Sequence, residues 1–200
     1  MKIDKETSFI GAYFTNKSGE DLKKTITPTW TNEVIKQHLK IIHIPEDTDS
    51  VCEVGCGIAR LLRPIYKSGV DECYGFDASQ DMVDESKAYI GRTGINIRKC
   101  SGDGDLELKT GLVDFSFSII TFQYIPNTET VKKYISEMKR VTKIGGVITF
   151  QLLAKDLNRG YLWSYHDLDE IREHLKIIGI STMDYSEKIS NDWVIFRCLV

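Results

Sequence analysis

In the stretch VCEVGCGIAR, residues 51–60, an apolar run stops at Gly55 and Gly57, and helix-compatible residues follow. Glycines there let a chain leave a buried strand and turn within a few residues, because they take backbone angles closed to other residues. Lacking Cβ, they also let a ligand approach the main chain. A helix from Ile58 to Tyr66 would offer that ligand free N–H groups. Asp77 ends CYGFD, about 20 residues further on, where a carboxylate can accept both hydroxyl hydrogens of a ribose. The alternative is a cap on the next helix, a task that Ser79 fits better. SGDGDL follows at residues 101–106. Asp103 can accept a hydrogen bond from an exocyclic amine such as that of adenine, and Gly104 leaves its N–H accessible. These features also suit a dinucleotide-dependent oxidoreductase, but that fingerprint wants a third glycine where this chain has Arg60.

The elements that must position these residues follow from hydrophobic periodicity. A helix is predicted over Thr31 to Ile42. SVCEV, ECYGF and INIRK read as strands, with a helix from Ser79 to about Ile90 between the last two. VDFSFSIITF is nearly continuous in apolar and aromatic residues, as a central buried strand is. Thr130 to Thr142 reads as an amphipathic helix and GGVITFQLL as a strand. A helix over Asp167 to Ile178, ended by Gly179, and a strand pair around SND close the chain. Strands alternating with helices imply right-handed crossovers and an α/β fold with a mostly parallel sheet. Ligands of such sheets bind beyond the C-terminal strand ends. Here those are the loops after Val54, Phe76, Lys99, Phe122 and Leu153.

Composition limits the function. The 200 residues are 42% hydrophobic and 28% charged, which suits one folded domain. A net charge of -3 supplies no overall positive field, so no nucleic acid partner is expected. The five cysteines are odd in number and form no CxxC pair. They suggest buried reduced thiols rather than a disulfide framework or a metal site. No run reaches about 18 apolar residues, so a soluble, cytoplasmic chain without a membrane partner is expected.

Two later strings complete an ordered set: FQYIP at residues 122–126 and RVTKIGG at 140–146. With EVGCG, GFD and SGDGD before them, they make the chain resemble class I S-adenosylmethionine-dependent methyltransferases. The resemblance is strongest to the bacterial small-molecule branch, which has FQHIP after the fourth strand and RVLRPGG before the fifth. It runs from about Gly19 to Leu153. It implies a Rossmann-like three-layer sandwich with a seven-stranded, mostly parallel sheet, the antiparallel last strand lying between the fifth and sixth. The implied cofactor is S-adenosyl-L-methionine, leaving S-adenosyl-L-homocysteine. Glu53, Gly55, Cys56 and Gly57 would line its methionine part. Asp77 would hold the ribose, Ala78 and Met82 would lie beside the adenine, and Asp103 and Gly104 would meet its amine. Phe122 and Gln123 would face the sulfonium and the acceptor.

The resemblance further implies a helical lid over residues 1–45, a cofactor-binding core over 46–153, and an insertion, helix and closing strand pair over 154–200. Tyr13, Phe14 and Trp30 in the lid, and Tyr161, Trp163 and Tyr165 in the insertion, are candidate acceptor walls or ordinary core residues. Tyr124 stands where the branch has His. A phenol is a poor base near neutrality, so Tyr124 reads first as a packing or hydrogen-bonding residue and second as catalytic. His166 is the other catalytic candidate, or else a first-turn helix residue with Ser164 as cap and Asp167 completing a capping box. His38 and His174 read as surface residues. Lys132, Lys133, Lys139, Arg140 and Lys143 read as a solvated helix face. The expected reaction is methyl transfer to a small-molecule substrate, at an oxygen of a sugar or related intermediate. The alternatives are a non-catalytic cofactor-binding module and an enzyme acting on protein or nucleic acid. The oligomeric state is unspecified.

Overall fold

SVCEV is buried along its whole length, as a strand with neighbours on both edges and helices on both faces must be. This strand, β1 (Ser50–Val54), sits inside the sheet of a computed structural model that describes residues 32–153, 164–182 and 193–200. It follows helix α1 (Asn32–Ile42) and precedes α2 (Leu62–Lys67), β2 (Glu72–Asp77), α3 (Gln80–Ile90), β3 (Asn96–Lys99) and β4 (Val113–Ser118). A 3-10 turn at Phe122–Tyr124 leads to α4 (Thr128–Val141), β5 (Thr142–Leu153), α5 (Leu168–Ile177), β6 (Ser181–Thr182) and β7 (Trp193–Leu199).

The sheet has seven strands in the order β3-β2-β1-β4-β5-β7-β6. The first five pair in parallel. β7 runs antiparallel to both β5 and β6. The expected insertion of the last strand between the fifth and sixth is therefore present. Apolar side chains pack on both faces. Phe122, Phe150 and Phe196 join Ile135, Ile171 and Leu175 of α4 and α5 on one side. Phe115 and Phe117 join Ile42, Leu62, Ile65 and Val83 of the other helices on the opposite side. Three layers result. Full burial of each such side chain contributes about 1.5–3 kcal/mol.

Several elements begin or end away from the sequence expectation. The first crossover helix begins at Leu62 rather than Ile58. Gly55, Gly57 and Ala59 all have positive φ, which no helix accommodates. A helix of six residues whose first turn lies beyond this loop does not present its N-terminus to a ligand. β4 ends at Ser118, not Phe122, because Ile120 turns to φ 56. Asp167, not Ser164, caps α5, its Oδ1 accepting from the N–H groups of Asp169 and Glu170 at 2.8 and 3.2 Å.

The basic residues near α4 act as ties as well as solvated charges. Lys132 bridges Glu129 and Glu170. Arg140 donates to Glu137 and to the carbonyls of Leu106 and Leu108. His38 and His174 are half-buried rather than surface residues. His38 Nδ1 lies 2.7 Å from Val34 O. His174 Nε2 lies 3.0 Å from both Ser136 Oγ and Lys132 O. All five cysteines are buried and unbridged. Among the described residues no helix is long and apolar enough to cross a membrane, and no cluster of metal-binding side chains occurs. The expected lid up to Thr31, the aromatics Tyr13, Phe14, Trp30, Tyr161 and Trp163, and the SND turn lie outside the described residues.

α4 carries one stripe of Val131, Tyr134, Ile135, Met138 and Val141 into the core. Asn127 caps it, Oδ1 accepting from Glu129 N–H at 2.8 Å. Asn127→Ala is expected to lower stability by about 1 kcal/mol, a Tm loss of about 2–4 °C in a chain of this size. Thermal unfolding followed by circular dichroism checks it.

Candidate functional site

The strand order reverses at β1: the chain builds outward to β3 and then crosses back to place β4 on the other side of β1. Loops leaving the C-terminal ends of these strands diverge there and open a crevice. A cavity occupies this place. Its lining draws on the turn after β1, the end of β2 and the corner after β4.

Asp77 organises the first two. Its Oδ2 accepts from Gly57 N–H at 2.8 Å and its Oδ1 from Ser79 N–H at 2.9 Å. Phe76 O meanwhile accepts from the N–H groups of Gly55 and Cys56 at 2.7 and 3.0 Å. The glycine turn is thus tied to the end of β2. A carboxylate has about four acceptor sites, so Asp77 keeps capacity for further donors. Ser79 takes the capping role expected of it, accepting from Met82 N–H at 3.4 Å. Burial pushes the Asp77 carboxyl up, opposed by its two N–H donors.

The two glycines do different work. At Gly55, φ 73, a Cβ would come 2.2–2.7 Å from atoms of the Thr121 side chain. The turn therefore depends on glycine to lie against the β4 corner. At Gly57, φ 51, a Cβ would meet nothing within 4 Å. Its open side is in the cavity lining. Cys56 also lies in the lining, but its sulfur packs toward Gly75, where an added Cβ would be 2.9 Å from it.

Glu53 is 3% exposed in the middle of the sheet and lines the same cavity. Burial, and then the nearby negative charge of Asp77, hold its carboxyl well above the usual carboxylate range. Its Oε2 has no hydrogen-bond partner among the described residues. A buried carboxylate oxygen without a partner is costly, and a cation in the cavity would remove that cost. Arg60, at the position of the dinucleotide fingerprint's third glycine, also lines the cavity instead of packing helix to sheet. Ala78, Met82 and Tyr124 are also in the lining.

Other expected site residues lie elsewhere. Asp103 and Gly104 stand in a separate surface groove beside Lys133 and His174. Asp103 accepts from Ser101 Oγ and, at 3.3 Å, from Asp105 N–H. Cys100 and Gly102 hold that end of the cavity instead. Phe122 is fully buried, its ring 6.2 Å from Tyr134 and 6.0 Å from Phe150. It is core, not lining. Gln123 is also fully buried, with neither amide atom hydrogen-bonded among the described residues.

His166 is corrected as a base candidate. It is 1% exposed, with Nε2 3.1 Å from Phe122 O and Nδ1 3.1 Å from Thr128 Oγ1. A carbonyl only accepts, so Nε2 carries the proton, and the neutral ring accepts from Thr128 O–H. Both nitrogens are engaged in joining α4 to the turn after β4.

Sequence reasoning missed Ile58, Leu61, Ile119, Ile120, Thr121 and Tyr134, all in the lining. Tyr134 sits on the core stripe of α4, and its hydroxyl lies 3.5 Å from Cys100 Sγ. Its i+3 spacing from Val131 signalled burial but nothing about a cavity.

Comparison with known proteins agrees with this geometry. Residues 52–150 match the family described as a methyltransferase domain. A probable chloroplastic tocopherol O-methyltransferase of Oryza sativa subsp. japonica is 25% identical over 190 residues, covering 80% of this chain and 52% of that protein. The chain thus spans about half the length of that curated relative. In structure, the magnesium protoporphyrin IX methyltransferase of Synechocystis PCC 6803 with bound S-adenosylmethionine superposes with TM-score 0.72 at 17% identity, covering 99% of this chain and 98% of that one. An S-adenosylmethionine-dependent methyltransferase of Aquifex aeolicus gives TM-score 0.65 at 20% identity over the whole of both chains. Residues 52–150 thus carry a methyltransferase domain, and the chain has the fold of S-adenosylmethionine-dependent methyltransferases.

Two outcomes are expected from this geometry. Gly55→Ala meets both a left-handed backbone and the Thr121 clash, and loses about 2–4 kcal/mol of stability. Gly57→Ala meets only the backbone cost and loses about 1–2 kcal/mol. Denaturant unfolding of both variants checks the contrast. For His166, burial holds the imidazole below its ordinary value. The unfolded chain then binds more protons, so this contribution is complete above about pH 6.5 and is lost as pH falls toward the folded value. The slope is at most about 1.4 kcal/mol per pH unit. His166→Asn should remove that part of the pH dependence between about pH 7.5 and 5, leaving the part due to His174, whose shift has the same sign.

Proposed function

We propose that the protein transfers the methyl group of S-adenosylmethionine to a small, predominantly apolar acceptor, at oxygen. The observation that carries this is the joining of a free glycine edge at Gly57, a doubly tied Asp77 and a half-satisfied Glu53 in one cavity at the strand switch. These are the groups that a cationic nucleoside requires. Asp77 would use its remaining acceptor capacity on the ribose hydroxyls. Glu53 would offer its unpartnered oxygen to the methionine ammonium. Gly57 would let the main chain lie against the ligand. The end bearing Cys100, Gly102 and Tyr134 would take the base, with Ala78 and Met82 beside it.

When bound, S-adenosylmethionine supplies a methyl group already made electrophilic by its sulfonium. The protein's task is to align an acceptor atom and exclude water, and orientation alone can contribute about 7–11 kcal/mol in favourable models. Ile58, Leu61, Ile119, Ile120 and Ile125 give the cavity its apolar wall, which favours an acceptor with a ring or hydrocarbon body. The names of the relatives, a tocopherol and a magnesium protoporphyrin IX methyltransferase, support the same class. Among the described residues no histidine lines the cavity. The reading therefore favours an oxygen that is already ionised, such as a carboxylate or an acidic phenol. Tyr124 would then orient the acceptor rather than take its proton.

Calorimetric titration with S-adenosylhomocysteine tests the cofactor part. The wild type should bind it, and Asp77→Ala should weaken binding about 10- to 100-fold, the worth of charge-assisted hydrogen bonds to a ribose. Equal affinity in the variant would refute the ribose role. Transfer of a labelled methyl group to a panel of apolar carboxylates and phenols tests the acceptor part. Turnover confined to polar sugars, proteins or RNA would refute it.

A further inference from the structure

Gln151 is 7% exposed, near the C-terminal end of β5. The β4–β5 ladder ends with Ser118 opposite Phe150. β5 continues beyond that point, pairing Gln151 with Ile195 of β7, while β4 turns away. The turn leaves the Ile120 N–H without a ladder carbonyl. Gln151 Oε1 accepts it instead, at 3.0 Å.

What this bond holds is strained. Ile120 has φ 56, a conformation that a β-branched residue adopts only when its surroundings enforce it. The strained corner in turn holds the cofactor loop. Thr121 Oγ1 lies 3.3 Å from the carbonyls of both Val54 and Gly55. Ser118 Oγ donates to Val54 O at 3.0 Å. The Thr121 side chain fills the place that a Cβ on Gly55 would take. Ile119, Ile120 and Thr121 themselves line the cavity.

We propose that Gln151 is a positioning residue for cofactor binding. By supplying the missing ladder acceptor it fixes Ile120 in its left-handed conformation, and so presses Thr121 onto the glycine turn in the shape that receives the nucleoside. It touches neither cofactor nor acceptor and acts through the corner. This role rests on the cofactor placement proposed above.

The test uses Gln151→Met, which keeps length but removes the acceptor, and Gln151→Glu, which retains an acceptor. Both are also made with Ile120→Gly, because glycine takes the left-handed conformation without enforcement. Titration with S-adenosylhomocysteine should show Gln151→Met weakening binding about tenfold, Gln151→Glu within about threefold of wild type, and Gln151→Met costing less than about threefold in the Ile120→Gly background. Amide hydrogen exchange of the ligand-free protein should show faster exchange in Gln151→Met both at residues 118–123 and at residues 54–60. A merely structural residue would lower Tm without moving affinity or the exchange of the glycine turn. Binding by Gln151→Met within about twofold of wild type, or faster exchange confined to residues 118–123, overturns the proposal. Should Gln151→Met alone fail to fold, the double variant decides: binding like Ile120→Gly supports the proposal, and a further tenfold loss overturns it. A wild type that does not bind S-adenosylhomocysteine would instead overturn the cofactor placement, and the exchange comparison would still judge Gln151.

Discussion

The carboxylate of Asp77 is the interaction on which the site depends. A parallel sheet leaves the C-terminal ends of its strands without ladder partners, and at the strand switch the loops run apart. Asp77 spans that gap from the end of β2, accepting from Gly57 on one side and Ser79 on the other. It thereby joins the turn after β1 to the start of α3. Burial raises the cost of its charge, and the two N–H donors offset it. The same carboxylate retains lone pairs toward the cavity, so the group that closes the fold here is also the one suited to a diol.

Around this tie, the other constraints interlock. Gly55 must lack a side chain because Thr121 occupies the space, and Thr121 is there because the β4 corner bends sharply at Ile120. Gly57 favours glycine for a different reason, its left-handed backbone, since nothing of the protein fills the space beside it. Glu53 carries a burden no purely structural strand residue would, a buried carboxyl with one oxygen unpartnered beside another acid. Such a cost persists where a bound cation repays it. His166 stands apart from this chemistry. Its ring joins Thr128 at the start of α4 to the carbonyl of Phe122, so it braces the turn bearing Tyr124.

Much of this was legible in the residues. The alternation of strands and helices, the closing strand pair and the cap at Ser79 follow from local pattern, because periodicity and capping are properties of neighbouring residues, whereas the antiparallel last strand came with the family resemblance. The glycine turn and Asp77 were legible for the same reason: their spacing matches one crossover. Asp103 and Gly104 were misplaced because a loop's sequence does not state which side of it faces the cavity. Phe122 and Gln123 were misplaced because β4 ends at Ser118, and the corner that turns them into the core is set by Ile120, a residue type with no preference for such a turn. The helix expected from Ile58 failed at Ala59, whose positive φ is imposed by the loop and not by alanine.

The order of elements, the mostly parallel sheet and the methyltransferase resemblance are determined by the sequence alone, because local hydrophobic pattern and ordered motifs survive without coordinates. Which side chains share the cavity was decided only by tertiary structure. Glu53 and Asp77 become electrostatic neighbours only when β1 and β2 pair in register. Tyr134 reaches Cys100 only because α4 packs across that end of the sheet. Gln151 meets Ile120 only because β5 runs on past the point where β4 turns away. Each of these is a contact between residues distant in the chain, and burial and orientation at such contacts arise from packing that no local pattern encodes.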